Sequence, residues 1–368
     1  MRTTLLTAAG LAAALLSNAP APSHAADGPV KVFILAGQSN MVGHGKTLDG
    51  LNPDYDPNQP QSATNPREIP GGIGSLIWAV QTMPETYGHG GTDALVDEKG
   101  DWLVREDVST YAVIEVFKDK DNPGQLTTGN TRKGAHTVGF GKGAWIGPEY
   151  GFGMVVGKAI DEDVLIIKVA TGGTSLYGDW RSPTAVKNRG GEVGYMWPHM
   201  LGTVKHVLDN LGTEFPRYAG RKAEIVGFGW HQGFNDTVHK TERDNYGPNL
   251  VDFIADVRGE FGKDLPFVIG TTSMFPSDQP RTPVELAQLG VAEEDPRTIA
   301  VDTRPFWRDE EHSPSNFGYH WNHNGLTHYL IGAGMGQAML QIIPEPHTLG
   351  MLGASGQLLL RRRHGLNH

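Results

Sequence analysis

The chain has 368 residues, a formal net charge of -10 and no cysteine. A net negative charge disfavours binding to nucleic acid phosphates, and the absence of cysteine excludes disulfides, thiolate metal sites and a cysteine nucleophile. The length suffices for one large catalytic domain or two small ones with a buried core. Composition therefore leaves two classes, an acidic enzyme and an acidic binding protein.

The amino-terminal residues 1–25 have the pattern of a secretory signal peptide. Arg2 precedes an apolar stretch at 5–16, and Ser23-His24-Ala25 provides a small-x-small cleavage site. The apolar stretch is shorter than the roughly 20 residues that a membrane span needs. We expect cleavage at this site, which leaves a mature chain that starts near Asp27 and has no stable membrane span.

Five apolar runs of strand length follow along the chain, bordered by glycine, proline or charge. They lie at 30–36, 164–170, 224–230, 266–271 and, more weakly, 298–302. Their nearly continuous Val, Ile, Leu and Phe content is typical of parallel strands buried on both faces. Helical periodicity alternates with these runs, at 197–211, 246–261 and 325–343. This order predicts an α/β fold with right-handed crossovers.

The stretch from about 46 to 145 differs in composition from the rest. It is rich in Gly, Pro, Asn and Asp, and it separates the first apolar run from a helical pattern that begins at Pro148. Residues 101–117 alternate in a way that predicts one or two hairpins. We interpret the stretch as an insertion near a functional site, because loops on rigid scaffolds carry recognition.

The first candidate site follows the first apolar run. Within residues 36–41, Ser39 comes just after the carboxyl end of the predicted strand, where α/β sheets open their ligand crevice. Small flanking residues allow a tight turn that exposes the hydroxyl, so Ser39 is a candidate nucleophile. Two alternatives stay open: a dinucleotide loop, although Gly-x-Gly-x-x-Gly is absent, and an N-cap role for the next helix.

Three further polar segments stand at the ends of predicted elements. Residues 168–176 contain two glycines whose backbone N–H groups can approach an oxyanion, although an ordinary turn shares this pattern. Residues 229–236 gather a histidine, amide side chains and an acid, which also suit a turn. Residues 319–325 precede the last predicted helix, and His320 there is a sensible general base for a distant serine.

Together, the four segments resemble the SGNH hydrolases, and most closely the branch with sialate O-acetylesterases and the acetylxylan esterases of carbohydrate esterase family six. The likeness covers about 30–343 and is strongest at 37–41, 168–176, 179–181 and 230–233. The resemblance implies a three-layer α/β/α sandwich with a mainly parallel, flavodoxin-like sheet of about five strands. It also implies an ester hydrolase that needs no cofactor.

The resemblance assigns roles to individual residues. Ser39 is the expected nucleophile, and His320, which matches the family's His-aromatic-Asp-x-x-Gly block, is the expected general base. The oxyanion hole is expected at the backbone N–H groups of Ser39 and Gly173 together with a side-chain amide. Gln232 matches the Gln-Gly-Glu motif of this branch, whereas Asn235 matches the Gly-x-Asn-Asp of the wider superfamily. Gln232 is preferred because it lies nearer the strand end.

The chain departs from the family pattern at the acid that orients the histidine. Phe317 stands three residues before the histidine, Phe234 replaces the Glu of Gln-Gly-Glu, and Asn322 replaces the Asp after the aromatic. A backbone carbonyl that completes a Ser–His dyad is one alternative. The other is an acid elsewhere, with four candidates: Asp302, Asp309, Glu310 and Asp236.

Sugar-contacting residues are expected near the second and third segments and in the insertion. The candidates are Trp180, Arg181 and His231, because aromatic faces and fixed donors suit polyols. Arg181 is alternatively a structural ion-pair partner. If it faces the crevice, it favours a uronate, a sialate or a sulfated glycan.

Histidines and acids near the carboxyl terminus raise the question of a metal site. The residues concerned are His312, His320, His323 and His328 with Asp309, Glu310 and Glu311. Their spacing does not match His-Glu-x-x-His, and such pairs arise easily in a chain with 15 histidines. The sequence therefore predicts no metal site.

The carboxyl-terminal residues 344–368 resemble a PEP-CTERM sorting tail. Pro344-Glu345-Pro346 precedes a mildly apolar stretch at 349–360 and three arginines at 361–363. Such a tail implies export and processing at the surface of a Gram-negative-type bacterium, whereas the alternative is a disordered basic tail. The sequence thus predicts a signal peptide at 1–25, an esterase domain at 27–343 and a sorting tail at 344–368.

The sequence as a whole predicts a secreted serine esterase that removes acetyl groups from a carbohydrate through an acetyl-enzyme on Ser39. Its partner is an acetylated carbohydrate, and no nucleic acid partner is expected. The alternative from another class is a carbohydrate-binding surface protein on a catalytically weakened esterase scaffold. A lipase-like esterase is less favoured, because the sequence offers no long apolar lid. The oligomeric state is left open.

Overall fold

The computed structural model describes residues 28–47, 72–122 and 124–343. The expected signal peptide and sorting tail lie outside these residues. The described chain forms one seven-stranded sheet with helices on both faces. Within these ranges, every helix is too short or too polar to cross a membrane.

The strands of the sheet lie in the order β3-β2-β4-β1-β5-β6-β7. All neighbours pair in parallel except β3, which is antiparallel to β2. The strands are β1 Val30–Gly37, β2 Arg105–Ile114, β3 Asn130–His136, β4 Val164–Ala170, β5 Ala223–His231, β6 Phe267–Gly270 and β7 Thr298–Val301.

Twelve α-helices are present in the described residues, and five of them have five residues or fewer. They are α1 Ser39–Val42, α2 Leu76–Thr82, α3 Pro84–Tyr87, α4 Pro148–Ala159, α5 Pro183–Arg189, α6 Met196–Asp209, α7 Leu211–Glu214, α8 Phe234–Val238, α9 Lys240–Asp244, α10 Tyr246–Phe261, α11 Pro283–Glu294 and α12 Gly325–Ile342.

The five strands β4-β1-β5-β6-β7 confirm the predicted parallel, flavodoxin-like sheet. Numbered by their own order in the chain, they lie as 2-1-3-4-5, which is the flavodoxin-like order. Ligands of such sheets bind outside the carboxyl ends of the strands, beside the strand at which the order reverses. In this protein that strand is β1, which ends directly before Ser39.

The insertion contributes more to the sheet than the sequence predicted. Residues 101–117 were expected to form a hairpin or two, and about five strands were expected. Instead, β2 pairs in parallel with β4 and β3 pairs with β2, so the sheet has seven strands. Parallel pairing with a strand that comes later in the chain leaves no local sequence signal, because the partners are far apart in sequence.

The hydrophobic core has one layer on each face of the sheet. Along β1, Val32 and Ile34 face a cluster with α6 and α10, whereas Phe33 and Leu35 face a cluster with α4 and α12. This explains why the strand is apolar at every position. A third cluster joins α2, α3 and the loops of the insertion to α4 and α12.

A buried ion pair holds the loops behind the first strand. Lys168 and Glu149 are fully buried, and the Lys168 Nζ lies 2.8 Å from Oε2 of Glu149. The same ammonium donates to the carbonyls of Val42 at 3.0 Å and Phe140 at 2.7 Å. Because these acceptors belong to the end of α1 and to the insertion, the lysine fixes both against β4.

Candidate active site

Ser39 lies at the first residue of α1, directly beyond β1. Gly37 makes this approach possible, because a Cβ at that position would stand 2.2 Å from the carbonyl oxygen of His231 at the end of β5. The side chain of Ser39 is 8% exposed. As the first helical residue, it keeps a backbone N–H that no carbonyl of the same helix can accept.

The neighbours of Ser39 fasten it to two other loops. Gln38 accepts from the backbone N–H of Gly233 at 2.9 Å, and its amide donates to the side chain of Asn235 at 3.3 Å. Asn40 donates to the carbonyl of Tyr319 at 3.0 Å, directly before His320. The structure therefore brings the serine segment, the β5 loop and the histidine loop together.

The glycine loop after β4 lies against the serine. Gly173 has φ of 71°, a left-handed conformation that favours glycine. A Cβ at Gly172 would lie 3.7 Å from the Cβ of Ser39 and 3.4 Å from Oε1 of Glu115. Glu115 also accepts from the backbone N–H of Gly172, and burial raises the pKa of its carboxyl.

Glu115 is a residue that the sequence did not single out. It follows β2 directly and has φ of 64°, which is uncommon for a residue with a side chain. Its backbone N–H donates to the carbonyl of Ala170 at 2.9 Å. Only the pairing of β2 with β4 brings this carboxyl to the glycine loop that packs on the serine, so no local motif could have revealed it.

The two amides proposed for the oxyanion hole have different surroundings. Gln232 is buried, and its amide N donates to the carbonyl of Thr174 at 3.0 Å and to Asp236 at 2.6 Å. Both of its N–H bonds are thus engaged. Asn235 is half-buried and donates to the carbonyl of Gly173 at 2.6 Å, which leaves one N–H bond available.

Asp236 acts as the anchor of this loop. Its carboxyl accepts from the backbone N–H groups of Leu176 at 2.9 Å and Tyr177 at 3.0 Å, as well as from Gln232. Burial raises its pKa to about 7. These contacts join the loop after β5 to the loop after β4, so Asp236 holds the two sides of the candidate oxyanion hole together.

The loop with His320 has a strained backbone. Trp321, Asn322 and His323 have φ of 55°, 54° and 57°. Three consecutive left-handed residues with side chains are costly, at about 1 kcal/mol or more each, and persist only where surrounding contacts fix them. The fixing contacts include Ser315 N–H to the carbonyl of Asn322 at 3.1 Å and Lys46 N–H to that of His323 at 3.0 Å.

His320 is surrounded by rings. His44 stacks on it with centroids 3.7 Å apart, and Phe317 and Tyr319 lie at 4.9 and 4.7 Å. Phe234 in turn stacks on Tyr319 at 5.4 Å. Of the two phenylalanines that replace expected acids, Phe317 therefore contacts His320 directly, and Phe234 contacts it through Tyr319.

The candidate orienting acids are engaged elsewhere. Asp302 pairs with Arg281 and Arg304, and Asp309 accepts from the exposed His312. Asp236 is committed to the loop that it anchors. Glu310 lies exposed on the short 3₁₀ turn Glu310–His312.

No described residue forms a hydrogen bond with the Nδ1 atom of His320, the proposed base. The Nδ1 atom of His320 is buried and has no hydrogen-bond partner among the described residues. Burial, followed by the nearby His323, His328 and Lys142, holds the pKa of His320 well below its ordinary value. The imidazole is therefore neutral at neutral pH, which is the state that a general base requires.

The expected sugar-contacting residues lie away from solvent. Trp180 is fully buried in the core and donates to Thr174 Oγ1, and His231 is 1% exposed and contacts the carbonyl of Gly270. Arg181 donates to the carbonyls of Tyr177 and Gly190, each at 2.9 Å. It also lines a cavity of about 360 Å³, together with residues that include Lys118, Arg189 and Glu192.

The structure adds a second group of histidines that the sequence had not assembled. His44, His320 and His323 are all buried, and their ring nitrogens lie within 4.8 Å of one another. His44 comes shortly after the serine segment, so spacing gave no sign of this contact. His312 stays apart on the surface, and His328 Nε2 lies 3.5 Å from the carbonyl of His320.

A flavodoxin-like sheet with polar loops gathered at the carboxyl ends of β1, β4 and β5 defines an α/β protein with a hydrolase-type crevice. The family model described as "carbohydrate esterase, sialic acid-specific acetylesterase" matches residues 105–341, more than half of the chain. The chain belongs to this family of carbohydrate esterases. The resemblance to sialate O-acetylesterases is thereby confirmed, and that to acetylxylan esterases stays a prediction. The matched residues include His320 but begin after Ser39.

Three solved structures show distant likeness to the chain. A protein from Arabidopsis thaliana has 15% identity and a TM-score of 0.48, covering 86% of this chain and 100% of its own. A carbohydrate acetylesterase from Xanthomonas citri has 13% identity and a TM-score of 0.49, and the match covers 85% of this chain and 56% of the other. NanS has 11% identity and a TM-score of 0.40, and the match covers 86% of this chain and 98% of the other. With TM-scores below 0.5, they assign no residue or substrate here. No curated protein gives a match.

Proposed function

We propose that this carbohydrate esterase is a serine enzyme that removes O-acetyl groups from a glycan through an acetyl-enzyme on Ser39. The observation that carries the proposal is the double attachment of the serine segment. Gln38 bonds to the loop with Asn235, and Asn40 bonds to the carbonyl directly before His320. A nucleophile, a base and amide donors are thereby gathered at one edge of the sheet.

The first half of the reaction forms the acetyl-enzyme. Neutral His320 accepts the proton of the Ser39 hydroxyl as the oxygen attacks the acetyl carbonyl. The negative charge that develops on the carbonyl oxygen is stabilised by the backbone N–H groups of Ser39 and Gly173 and by the free N–H of Asn235. His320 then protonates the sugar oxygen, which leaves as an alcohol.

The second half returns the enzyme to its starting state. Water replaces the sugar and gives a proton to His320 as its oxygen attacks the acetyl group on Ser39. The tetrahedral intermediate uses the same donors, because the oxyanion forms at the same place. Collapse releases acetate, and the proton on His320 returns to the serine oxygen.

We favour Asn235 over Gln232 as the side-chain donor. Both N–H bonds of Gln232 are used within the protein, so recruitment to an oxyanion would break an existing buried bond. Asn235 keeps one N–H and contacts Gly173, the other proposed donor. Gln232 is accordingly proposed as a residue that supports Asp236.

The base is proposed to work without a carboxylate partner. Phe317 occupies the position of the family's acid and packs its ring on His320. An acid is worth up to about four orders of magnitude in a Ser-His-Asp enzyme, mainly because it orients the imidazole and stabilises the imidazolium. Here stacking by His44 and packing of the tilted Phe317 ring orient the imidazole, so we expect a slow Ser–His dyad.

The sugar is proposed to contact half-buried rings at the crevice. Phe234 and Tyr319 stack on each other and are only partly buried, whereas Trp180 and His231 have no exposed face. We therefore replace the latter two in the proposed contact set. The cavity beside Arg181 is lined by three cationic side chains, Lys118, Arg181 and Arg189, against two acids, Asp179 and Glu192. This excess of cations supports a glycan that carries a carboxylate or sulfate.

Export is part of the proposal and rests on sequence alone. The signal-peptide pattern at 1–25 and the sorting-tail pattern at 344–368 support secretion or display at a Gram-negative-type surface. Both lie outside the described residues. Mass spectrometry of the mature protein from its natural host would find an amino terminus near Asp27 if the leader is removed.

One observation favours a second function, a carbohydrate-binding surface protein. Phe317 and Phe234 stand where the family has acids, and both pack as aromatic rings beside the histidine. Aromatic rings at a crevice suit sugar binding without chemistry. This alternative keeps glycan affinity and predicts no acetate release.

Acetate release distinguishes the two functions. Full-length wild-type and Ser39→Ala protein would be incubated with acetylated xylan, pectin, sialosides and sulfated algal glycans. We expect release by wild type and a loss of about 10³-fold or more in Ser39→Ala, with unchanged circular dichroism. Equal release by both proteins would remove Ser39 from the mechanism. Glycan binding without any release would favour the binding protein.

A further inference from the structure

The strongest unassigned feature of the molecule is the cluster of His44, His320 and His323. One ring nitrogen from each lies within 4.8 Å of one from each of the others, and each residue is at most 8% exposed. His44 contributes from the loop after α1, and the other two come from the strained segment before α12. Three imidazoles from two distant segments thus meet in one buried place.

The backbone around the cluster is held in a costly conformation. The left-handed run at 321–323 turns the chain so that both His320 and His323 face His44. On the other side, Gly45 packs so closely that a Cβ there would lie 2.8 Å from Cβ of His328. The left-handed run thus holds the three imidazoles close together before any ligand arrives, which reduces the cost of binding.

The outer contacts leave ring nitrogens available. Nδ1 of His323 pairs with the hydroxyl of Ser315 at 3.0 Å, which fixes the ring and directs Nε2 to the opposite side. Nδ1 of His320 is buried without a partner among the described residues. An unpartnered buried nitrogen is unfavourable, and a bound cation would satisfy an imidazole lone pair.

We propose that His44, His320 and His323 form a binding site for a divalent transition-metal ion such as Zn²⁺. Imidazole is a preferred ligand of Zn²⁺, whereas Mg²⁺ and Ca²⁺ prefer oxygen. Three histidines leave a fourth position for water or substrate. The Ser315 hydroxyl is the outer partner that orients His323, as such partners do in metal sites.

Binding requires a small closure of the three rings. Zn–N bonds are about 2.0–2.1 Å long, so ligand nitrogens around one tetrahedral ion stand about 3.4 Å apart. The present separation of the nitrogens is up to 4.8 Å, and the rings of His44 and His320 are stacked with their planes 22° apart. Side-chain rotation must therefore turn the lone pairs toward one ion as well as bring the nitrogens together.

The site excludes simultaneous catalysis, a consequence that rests on the proposed function. A neutral imidazole has one lone pair, on whichever ring nitrogen lacks the proton. When that lone pair binds the metal, His320 has none with which to accept the proton of Ser39. The ion therefore acts as a reversible inhibitor of the esterase, and a chelator restores activity.

Cobalt titration of the full chain tests binding without reference to activity. Metal-free protein is titrated with Co²⁺, whose visible absorption intensifies in tetrahedral sites, and the bound ion is then displaced with Zn²⁺. We expect one ion per chain. His44→Gln and His323→Gln should each weaken binding by about 100-fold or more, and Ser315→Ala by about 10–100-fold.

Two control variants test whether the loss of Co²⁺ binding is specific to the three clustered histidines and independent of the esterase. His312→Gln removes a surface histidine that pairs with Asp309, and it should bind Co²⁺ like wild type. Ser39→Ala should also bind normally, so failure of the proposed esterase leaves the metal result intact. Conversely, metal-free wild type that releases acetate but binds no ion would overturn the site alone.

The remaining outcomes are also decisive. Absence of tetrahedral bands in wild type overturns the proposal, as does binding by His44→Gln and His323→Gln with wild-type affinity. If either variant fails to fold by circular dichroism, Ser315→Ala decides, because it keeps all three histidines and removes only the hydroxyl that orients His323. A Zn²⁺-induced rise in wild-type Tm that Ser315→Ala reduces would support the site, and an equal rise in both would contradict it.

Discussion

Two buried polar clusters lie within the same set of loops, and they differ in how their hydrogen bonds are satisfied. Lys168 and Glu149 form a charged pair in which the ammonium has three acceptors and the carboxylate also accepts from Gly147 N–H at 2.9 Å. The histidines around His320 are neutral, and the Nδ1 atom of His320 has no partner among the described residues.

This difference distinguishes a cluster that supports the fold, Lys168 with Glu149, from a cluster that can carry chemistry, the histidines around His320. A buried charge held by an ion pair and by hydrogen bonds to the backbone is rigid, and its removal leaves an unpaired partner in the interior. A buried base with an unused nitrogen keeps the capacity to take up a proton or a ligand. The same contrast distinguishes Gln232, whose N–H bonds are both used, from Asn235, which has one to spare.

The largest effect on stability is expected from breaking the charged pair. Lys168→Met leaves Glu149 buried without its cation, and we expect a loss of about 3–5 kcal/mol in the free energy of unfolding. Urea unfolding at neutral pH measures it. Lys133→Met is the matched control, because its pair with Glu214 is partly exposed and such pairs contribute about 0–1 kcal/mol. Similar losses in both variants would contradict the role assigned to the buried pair.

Alanine substitution of Asn235 and of Gln232 should separate the amide that acts in catalysis from the amide that supports the loop. Asn235→Ala removes a proposed oxyanion donor, so kcat should fall by about 10²–10³-fold with little change in Tm. Gln232→Ala leaves Asp236 and the carbonyl of Thr174 without a donor, so it should lower stability by about 1–3 kcal/mol. Parallel measurements of kcat and Tm decide. The opposite pattern would return the oxyanion role to Gln232.

The smallest expected effect is a shift in the pH dependence of the esterase. Burial holds the pKa of His320 well below its ordinary value, and the base works only when neutral. Activity should therefore persist as the pH falls below 6.5, and it should be lost only at the lower pH where His320 becomes protonated. The acid limb of kcat/KM against pH gives this directly.

Phe317→Asp converts this neutral site into one with an acid. A carboxylate beside His320 favours the protonated imidazole, so the acid limb should move to higher pH. Phe317→Leu removes the ring without adding charge and should move it far less. A wild-type acid limb at or above pH 6.5 would show that His320 is not the neutral base described here.

Much of the scaffold was predictable from local patterns. The runs at 164–170 and 246–261 coincide with β4 and α10, and the run at 30–36 differs from β1 by one residue. Continuous apolar runs and a period of 3.6 reflect burial and backbone geometry, which each segment carries in its own sequence. The segments with Ser39 and His320 were expected to meet at the crevice of the sheet. The first follows a predicted strand, and the second precedes the last predicted helix.

The contacts that give the site its character were not predictable in this way. The side chain of Glu115 reaches the glycine loop only because β2 pairs with β4. Trp180 follows a recognisable motif, yet it is fully buried against Trp230, because an aromatic residue gains more from core packing than from exposure.

The sequence by itself determined the five core strands β1, β4, β5, β6 and β7, the long helices that alternate with them, the family and the loops that hold Ser39 and His320. The tertiary structure decided which side chains have spare bonding capacity: Asn235 rather than Gln232, and His320 with His44 rather than with an acid. The physical reason is that secondary structure follows from short-range periodicity. Hydrogen-bond satisfaction depends instead on groups that meet only when distant segments pack.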